Sequence, residues 1–180
     1  EIIDDIRLYV AIDSGKLSLR LEIHNLKELI GPSIEILEQK IKSKGIELKI
    51  NIPDSYHIKT NKNAFVTNII NNLLTNAIKF SNENGKIVIT ATSSAENIYL
   101  QIRDYGVGMP NEILVNLFST TIVTSRKGTQ GESGTGFGMP LVKKFLEAMS
   151  SQIVVESWEA TQLEYPPGTQ ITLEIPKVEH

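Results

Sequence analysis

The chain contains no cysteine. That excludes disulfides and thiolate metal sites, and it fits a reducing compartment. No apolar run is long enough to cross a bilayer, and no signal peptide opens the chain. Basic residues are not in excess: 18 Lys and Arg stand against 21 Asp and Glu, a net charge of −3. No global basic field therefore recruits nucleic acid or anionic lipid. Histidine occurs only three times, at His24, His57 and His180. Internal repeats and low-complexity segments are missing. What is present, 41% hydrophobic and 22% charged residues over 180 positions, is the balance of one soluble globular domain with room for a core. The chain opens without Met, which predicts a piece of a longer protein, with His180 after Val178-Glu179 read as an added residue.

Hydrophobic periodicity divides the chain into elements. Ile2, Ile3, Ile6, Tyr9 and Val10 form a helical stripe over 1–12, stopped by Asp13-Ser14-Gly15. A helix this short is marginal alone and reads as the tail of a longer one. Leu17, Leu19, Leu21 and Ile23 alternate with polar residues and predict a strand. Asn25 is placed to cap a helix over 26–43. Residues 46–51 and 56–60 read as short strands around the Pro53-Asp54 turn. A helix is expected over 61–80, an antiparallel hairpin from 86–92 and 97–103, an amphipathic helix over 138–150, and a strand pair at 153–157 and 169–175. Hairpins and three longer helices, without βαβ alternation, predict an α+β two-layer sandwich: a mixed, mainly antiparallel sheet with helices on one face.

Two stretches do not behave as ordinary scaffold. On the 61–80 helix, Asn68, Asn72, Thr75, Asn76 and Lys79 fall in one arc, apart from the apolar side carrying Val66, Ile69, Ile70, Leu73, Ala77 and Phe80. Asparagine is a poor helix former, so an amide stripe costs stability and points to a site. The second stretch runs from Asp104 to Leu141. It opens with Asp104, Gly106 and Gly108 and closes on Gly134, Gly136 and Gly138, before an apolar helix with Pro140 in its first turn. Glycines let backbone come close to a ligand, and a helix start presents unpaired N–H groups to an anion. The intervening loop reads as a flap over a phosphate-bearing ligand. Neither cluster is the dinucleotide fingerprint, and the lysine-bearing phosphate loop is absent.

Taken together, N-x-x-x-N-A-x-K-F at 72–80, D-x-G-x-G at 104–108, L-F at 117–118 and G-T-G-F-G at 134–138 resemble the four boxes of the catalytic ATP-binding domain of sensor histidine kinases. That family shares the Bergerat-type ATP site with gyrase and its relatives. The resemblance covers nearly the whole chain. It implies that residues 1–15 are the end of a second dimerisation helix with its linker, and 16–178 the catalytic domain. It also implies a set of roles. Asp104 accepts a hydrogen bond from the adenine amino group, with Thr169 near the same edge. Asn76 offers its oxygen to Mg²⁺, Lys79 approaches the phosphates, and Phe80 or Tyr105 packs near the base. Gly106, Gly108 and Met109 belong to the first glycine box, and Phe118 anchors the flap. Gly134, Thr135, Gly136, Phe137 and Gly138 meet the triphosphate. Arg126 and Lys127 read as exposed charges of the flap that lie within reach of phosphates.

Where ATP-hydrolysing relatives carry a water-activating Glu, this chain has Asn72, an amide without useful basicity. The resemblance therefore implies a histidine acceptor, with Asn72 and Lys79 as the catalytic pair. His24, His57 and His180 lack the family's acceptor context, which places the phosphoacceptor outside this chain. The implied partners are ATP, a histidine-bearing dimerisation domain and a response regulator, with no nucleic acid or membrane contact. The implied location is the cytoplasm, under a parent protein that is membrane-anchored or soluble. Two other readings of the same motifs are a nucleotide-binding regulatory module without transfer and an anti-sigma-type serine kinase.

Overall fold

The structure, a computed structural model, describes residues 2–122, 124–161 and 165–178. His180 and residues 162–164 of the loop between the last two strands lie outside the described residues.

Strict apolar–polar alternation makes β4 (Lys86–Ser93) and β5 (Asn97–Asp104), which pair antiparallel. Ile87, Ile89 and Ala91 on β4 and Ile98, Leu100 and Ile102 on β5 point to the buried face. On β7 (Gly168–Pro176), Ile171, Leu173 and Ile175 do the same. Period two then carries the pattern one step further, to Asp104 and Thr169, which are directly opposite each other in the β5–β7 register. Two polar side chains thus end the core-facing rows of two central strands. With β2 (Glu47–Asn51) and β6 (Gln152–Trp158) outermost, the sheet order is β2-β4-β5-β7-β6. Its β2–β4 pair is parallel and the other pairs are antiparallel.

The helices lie on the buried face. α2 (Leu26–Ser43) starts at Asn25, whose side chain accepts from the Glu28 N–H at 3.1 Å. The helical run that follows the second short strand is α3 (Lys62–Ala64), a π-helical segment (Phe65–Ile70) and α4 (Asn71–Phe80). A short α5 (Asn111–Val115) and α6 (Gly138–Ala148) come later. On α6, Val142, Phe145 and Leu146 are buried, as is Met149 just beyond it. α1 (Ile2–Asp13) packs on α6, with Ile12 buried and Lys144 paired to Asp13.

Several local expectations are corrected. The alternation at 17–23 predicts a strand, but β1 is Glu22–Asn25. Leu19 and Leu21 are half-buried against the core, so their alternation reports packing of an extended segment and not strand pairing. The two short strands expected around Pro53-Asp54 are present, and they enter different sheets: β2 joins the main sheet, while β3 (His57–Thr60) pairs antiparallel with β1. The helix over 61–80 is interrupted by the π turn, where the Asn71 N–H reaches Val66 O, five residues back. The wider turn lets Phe65, Val66, Ile69 and Ile70 all be buried. Lys144 on α6 is partly covered by α1, paired with Asp13 and lying over the Tyr9 ring at 5.5 Å.

Candidate functional site

A cavity of about 190 Å³ lies between α4, the core-facing end of β5 and β7, and the loop that leads to α6. Asp104 is at its base and is only 5% exposed. The N–H groups of Gly106, at 3.0 Å, and Thr169, at 3.2 Å, both donate to its Oδ1. Burial disfavours the carboxylate and pushes its pKa up to about 6. The two N–H groups and the guanidinium groups of Arg103 and Arg126 oppose that shift without cancelling it. Thr169 continues the polar row: its hydroxyl is 2.8 Å from the Ser157 hydroxyl on β6, which also accepts from the Met109 N–H at 2.8 Å. Main chain of the first glycine stretch is in this way tied to the sheet end.

One side of α4 forms a wall. Asn72, Thr75, Asn76, Lys79 and Phe80 line the cavity. The Asn72 Nδ2 donates to Asn68 O at 2.8 Å, which leaves its Oδ1 on the side of Gly138, where a Cβ would stand 2.7 Å away. Asn68 belongs to the π segment and is not among the lining residues. Lys79 is 8% exposed, and burial holds its amine below the ordinary lysine value. Glu132 counters that effect and Arg126 adds to it. A Cβ on Gly134 would lie 2.8 Å from the Lys79 Nζ, so the glycine permits the amine to reach this wall.

The glycine-spaced turns have different duties. Gly106 and Gly108 do not line the cavity; the backbone they admit is protein, since a Cβ would stand 2.1 Å from Phe80 O at Gly106 and 2.0 Å from Trp158 O at Gly108. Gly134, Thr135, Gly136 and Gly138 do line it, at the start of α6. Phe137 instead meets the ring of Tyr9 edge-on at 5.6 Å. Phe118 packs against the core beneath the Lys143 amine, and its neighbour Leu117 faces the cavity. Tyr105 is outside too, stacked with Arg103 at 4.8 Å. Arg126 corrects the expectation of an exposed charge. It lies 4.4 Å over the Phe80 ring, donates to Gly108 O and lines the cavity with Thr124 and Ser125. Lys127 is exposed.

Thr75 was legible from the amide stripe. Ile102, Ile113, Met139 and Ile171 also line the cavity and were not singled out in the sequence. Strand alternation toward Asp104 and Thr169 was the one signal that points to Ile102 and Ile171. Among the described residues no group of three His, Cys, Asp or Glu is placed to hold a metal, and no helix is long and apolar enough to cross a membrane.

The family model of histidine kinase-, DNA gyrase B- and HSP90-like ATPases matches residues 61–179, more than half of the chain. The histidine protein kinase SaeS of Staphylococcus epidermidis is 27% identical over 178 residues, covering 98% of this chain and 49% of that protein. The chain thus spans about half the length of this relative. The histidine kinase AdeS of Acinetobacter baumannii superposes with a TM-score of 0.78 at 18% identity, over 98% of this chain and 77% of that one. The nucleotide-free catalytic domain of the histidine kinase ThkA gives 0.73 at 25% identity, over 88% and 97%. With Asp104, Asn76 and the α6 glycines gathered on one cavity in this fold, the chain belongs to the histidine kinase-, gyrase B- and HSP90-like ATPase family, as a nucleotide-binding catalytic domain of the sensor histidine kinase type.

Proposed function

We propose that this domain binds ATP in the cavity above Asp104 and passes the γ-phosphoryl group to a histidine on a dimerisation domain of the same protein. The observation that carries the reading is the meeting of Asn76, Lys79, Asp104 and Gly134 on one cavity, from segments far apart in the chain. At about 190 Å³ the cavity is below the ~300–1,000 Å³ that enclose a drug-sized ligand, so it suits a base, with the triphosphate along its open side. The Gly106 and Thr169 N–H groups both donate to Oδ1 of Asp104, so Oδ2 serves the adenine amino group. Guanine would place a carbonyl oxygen there, acceptor against acceptor. Lys79 and the N–H groups at the start of α6 meet the phosphates. Asn76 supplies a hard amide oxygen to Mg²⁺, which suits a cation that keeps waters and binds substrate phosphates. Mg²⁺, when bound, neutralises charge on those phosphates.

Transfer forms a bond from the imidazole nitrogen to phosphorus and breaks the bond from phosphorus to the bridging oxygen, with ADP as leaving group. Asn72, an amide oriented by Asn68 O, gives water no general base, which favours imidazole as acceptor. Residues 1–15 are assigned to the end of the dimerisation helix, and 16–178 to the catalytic domain. A response regulator is the downstream partner, as the solved ThkA complex with the response regulator TrrA illustrates for that protein. The cytoplasm, where ATP is abundant, is the assigned location. The test is incubation with labelled ATP, Mg²⁺ and a histidine-bearing dimerisation domain. Acid-labile label on that partner, lost with Asp104→Ala, is expected. Tight ATP binding without any label would favour a regulatory module, and label on serine would favour a serine kinase of the same fold.

A further inference from the structure

Lys44, the residue after α2, is only 3% exposed. Its Nζ donates to Ile78 O at 2.8 Å and Lys79 O at 3.1 Å, carbonyls in the last turn of α4. Such carbonyls lack helical partners, and the helix dipole favours a cation beside them. The third acceptor is the Glu132 Oε1, at 3.1 Å. Glu132 belongs to the loop between β5 and α6, where residues 128–132 fold on themselves. The Gly128 N–H donates to Glu132 O at 2.9 Å, and the Gln130 N–H to the Glu132 Oε2 at 2.8 Å. The same turn is bonded to the helix end: Thr129 N–H reaches Lys79 O at 3.1 Å and its hydroxyl reaches Ser81 O at 2.7 Å. Packing is close, since a Cβ on Gly128 would stand 2.5 Å from the Lys79 Cγ. A buried lysine is costly, and an apolar side chain of similar length would fill this space more cheaply. Three acceptors converging on this buried ammonium point to a role beyond filling space.

We propose that Lys44 is a positioning residue for Lys79, locking the turn 128–132 onto the end of α4 through Glu132. Lys79 then leaves the helix from a fixed backbone, and Gly134 follows the turn at a fixed distance from the Lys79 amine. Within the long loop, residues 128–132 accordingly belong to the frame of α4. Glu132 also faces Lys79 electrostatically, so one carboxylate serves both lysines. This inference rests on the proposed reading of Lys79 as the phosphate-facing cation.

Calorimetric titration with MgATP and with adenosine, beside amide hydrogen exchange without nucleotide, tests it on the wild-type chain, Lys44→Met, Glu132→Gln and the double variant. Lys44→Met is expected to weaken MgATP about tenfold, the scale of one lost charged hydrogen bond, and to leave adenosine within about twofold. Exchange at Thr129 and Gln130 speeds up. Glu132→Gln moves the same way by less, and the double variant is no weaker than Lys44→Met, because both act through one contact. Glu132 is partly exposed, so its variant carries the test if Lys44→Met fails to fold. Equal loss of adenosine and MgATP, or unchanged exchange with unchanged affinity, would overturn the proposal. A wild-type chain that binds no MgATP refutes the functional reading instead, and the exchange comparison still decides whether Lys44 anchors the turn.

Discussion

Burial lifts the Asp104 carboxyl from 3.8 to about 6, although Gly106, Thr169, Arg103 and Arg126 all favour its ionised form. The folded protein therefore holds this proton more tightly than the unfolded chain does. Ionised Asp104 costs stability above pH 6, and the cost fades as pH falls through 6 toward 3.8. A shift of this size corresponds to on the order of 3 kcal/mol. Asparagine keeps an oxygen for the Gly106 and Thr169 N–H groups and removes the charge. Asp104→Asn is thus expected to raise the stability of the fold at pH 7.5 by on the order of 2–3 kcal/mol, with the gain shrinking by pH 4.5, while ATP binding is lost. Urea unfolding at the two pH values measures this. A variant less stable than wild type at pH 7.5 would mean that ionic hydrogen bonds outweigh desolvation at this site.

The two glycine stretches look alike in sequence and differ in what surrounds them. Gly108 has φ +68°, and its Cβ would collide with the Trp158 carbonyl. Gly134 would meet only the far end of the Lys79 side chain. Gly108→Ala is expected to cost more than about 2 kcal/mol of stability, and Gly134→Ala less than about 1, with ATP affinity falling in the latter because the Lys79 amine is displaced. Thermal unfolding and ATP titration of the pair separate these outcomes; equal losses of stability would contradict them. The spacing picked out Asn72, Asn76, Lys79, Asp104, Gly134, Gly136 and Gly138, which share the cavity, but it could not show that Gly106, Gly108, Phe118 and Phe137 turn to protein neighbours instead. The surrounding backbone was not legible. The π turn at 65–70 depends on burying four apolar residues at once, which a regular wheel does not display. The strand at 17–23 failed because alternation records burial and cannot tell whether a partner strand is available. Arg126 read as a surface charge because nothing local shows that Phe80 and Gly108 O wait for it.

Across the whole molecule, the core and the site are two ends of one pattern. The apolar rows of β5, β7 and β6 run toward the same sheet end and finish in Asp104, Thr169 and Ser157 respectively. α2, the π segment, α4 and α6 close over the apolar part and leave the polar end open as the cavity. α1 reaches this end from the other direction: Asp5 accepts from the Thr135 hydroxyl at 3.4 Å and Tyr9 meets Phe137. The chain's N-terminal helix is therefore in contact with the glycine run that lines the site.

The most direct test of the central claim is calorimetric titration of the chain with MgATP and MgGTP at pH 7.5 and pH 5. The account predicts one site for ATP and at least tenfold weaker GTP, from the unpaired acceptors on guanine and Asp104. It also predicts weaker ATP binding at pH 5, where the Asp104 carboxyl is mostly protonated. Equal affinity for the two nucleotides, or ATP binding unchanged across that pH range, would contradict it.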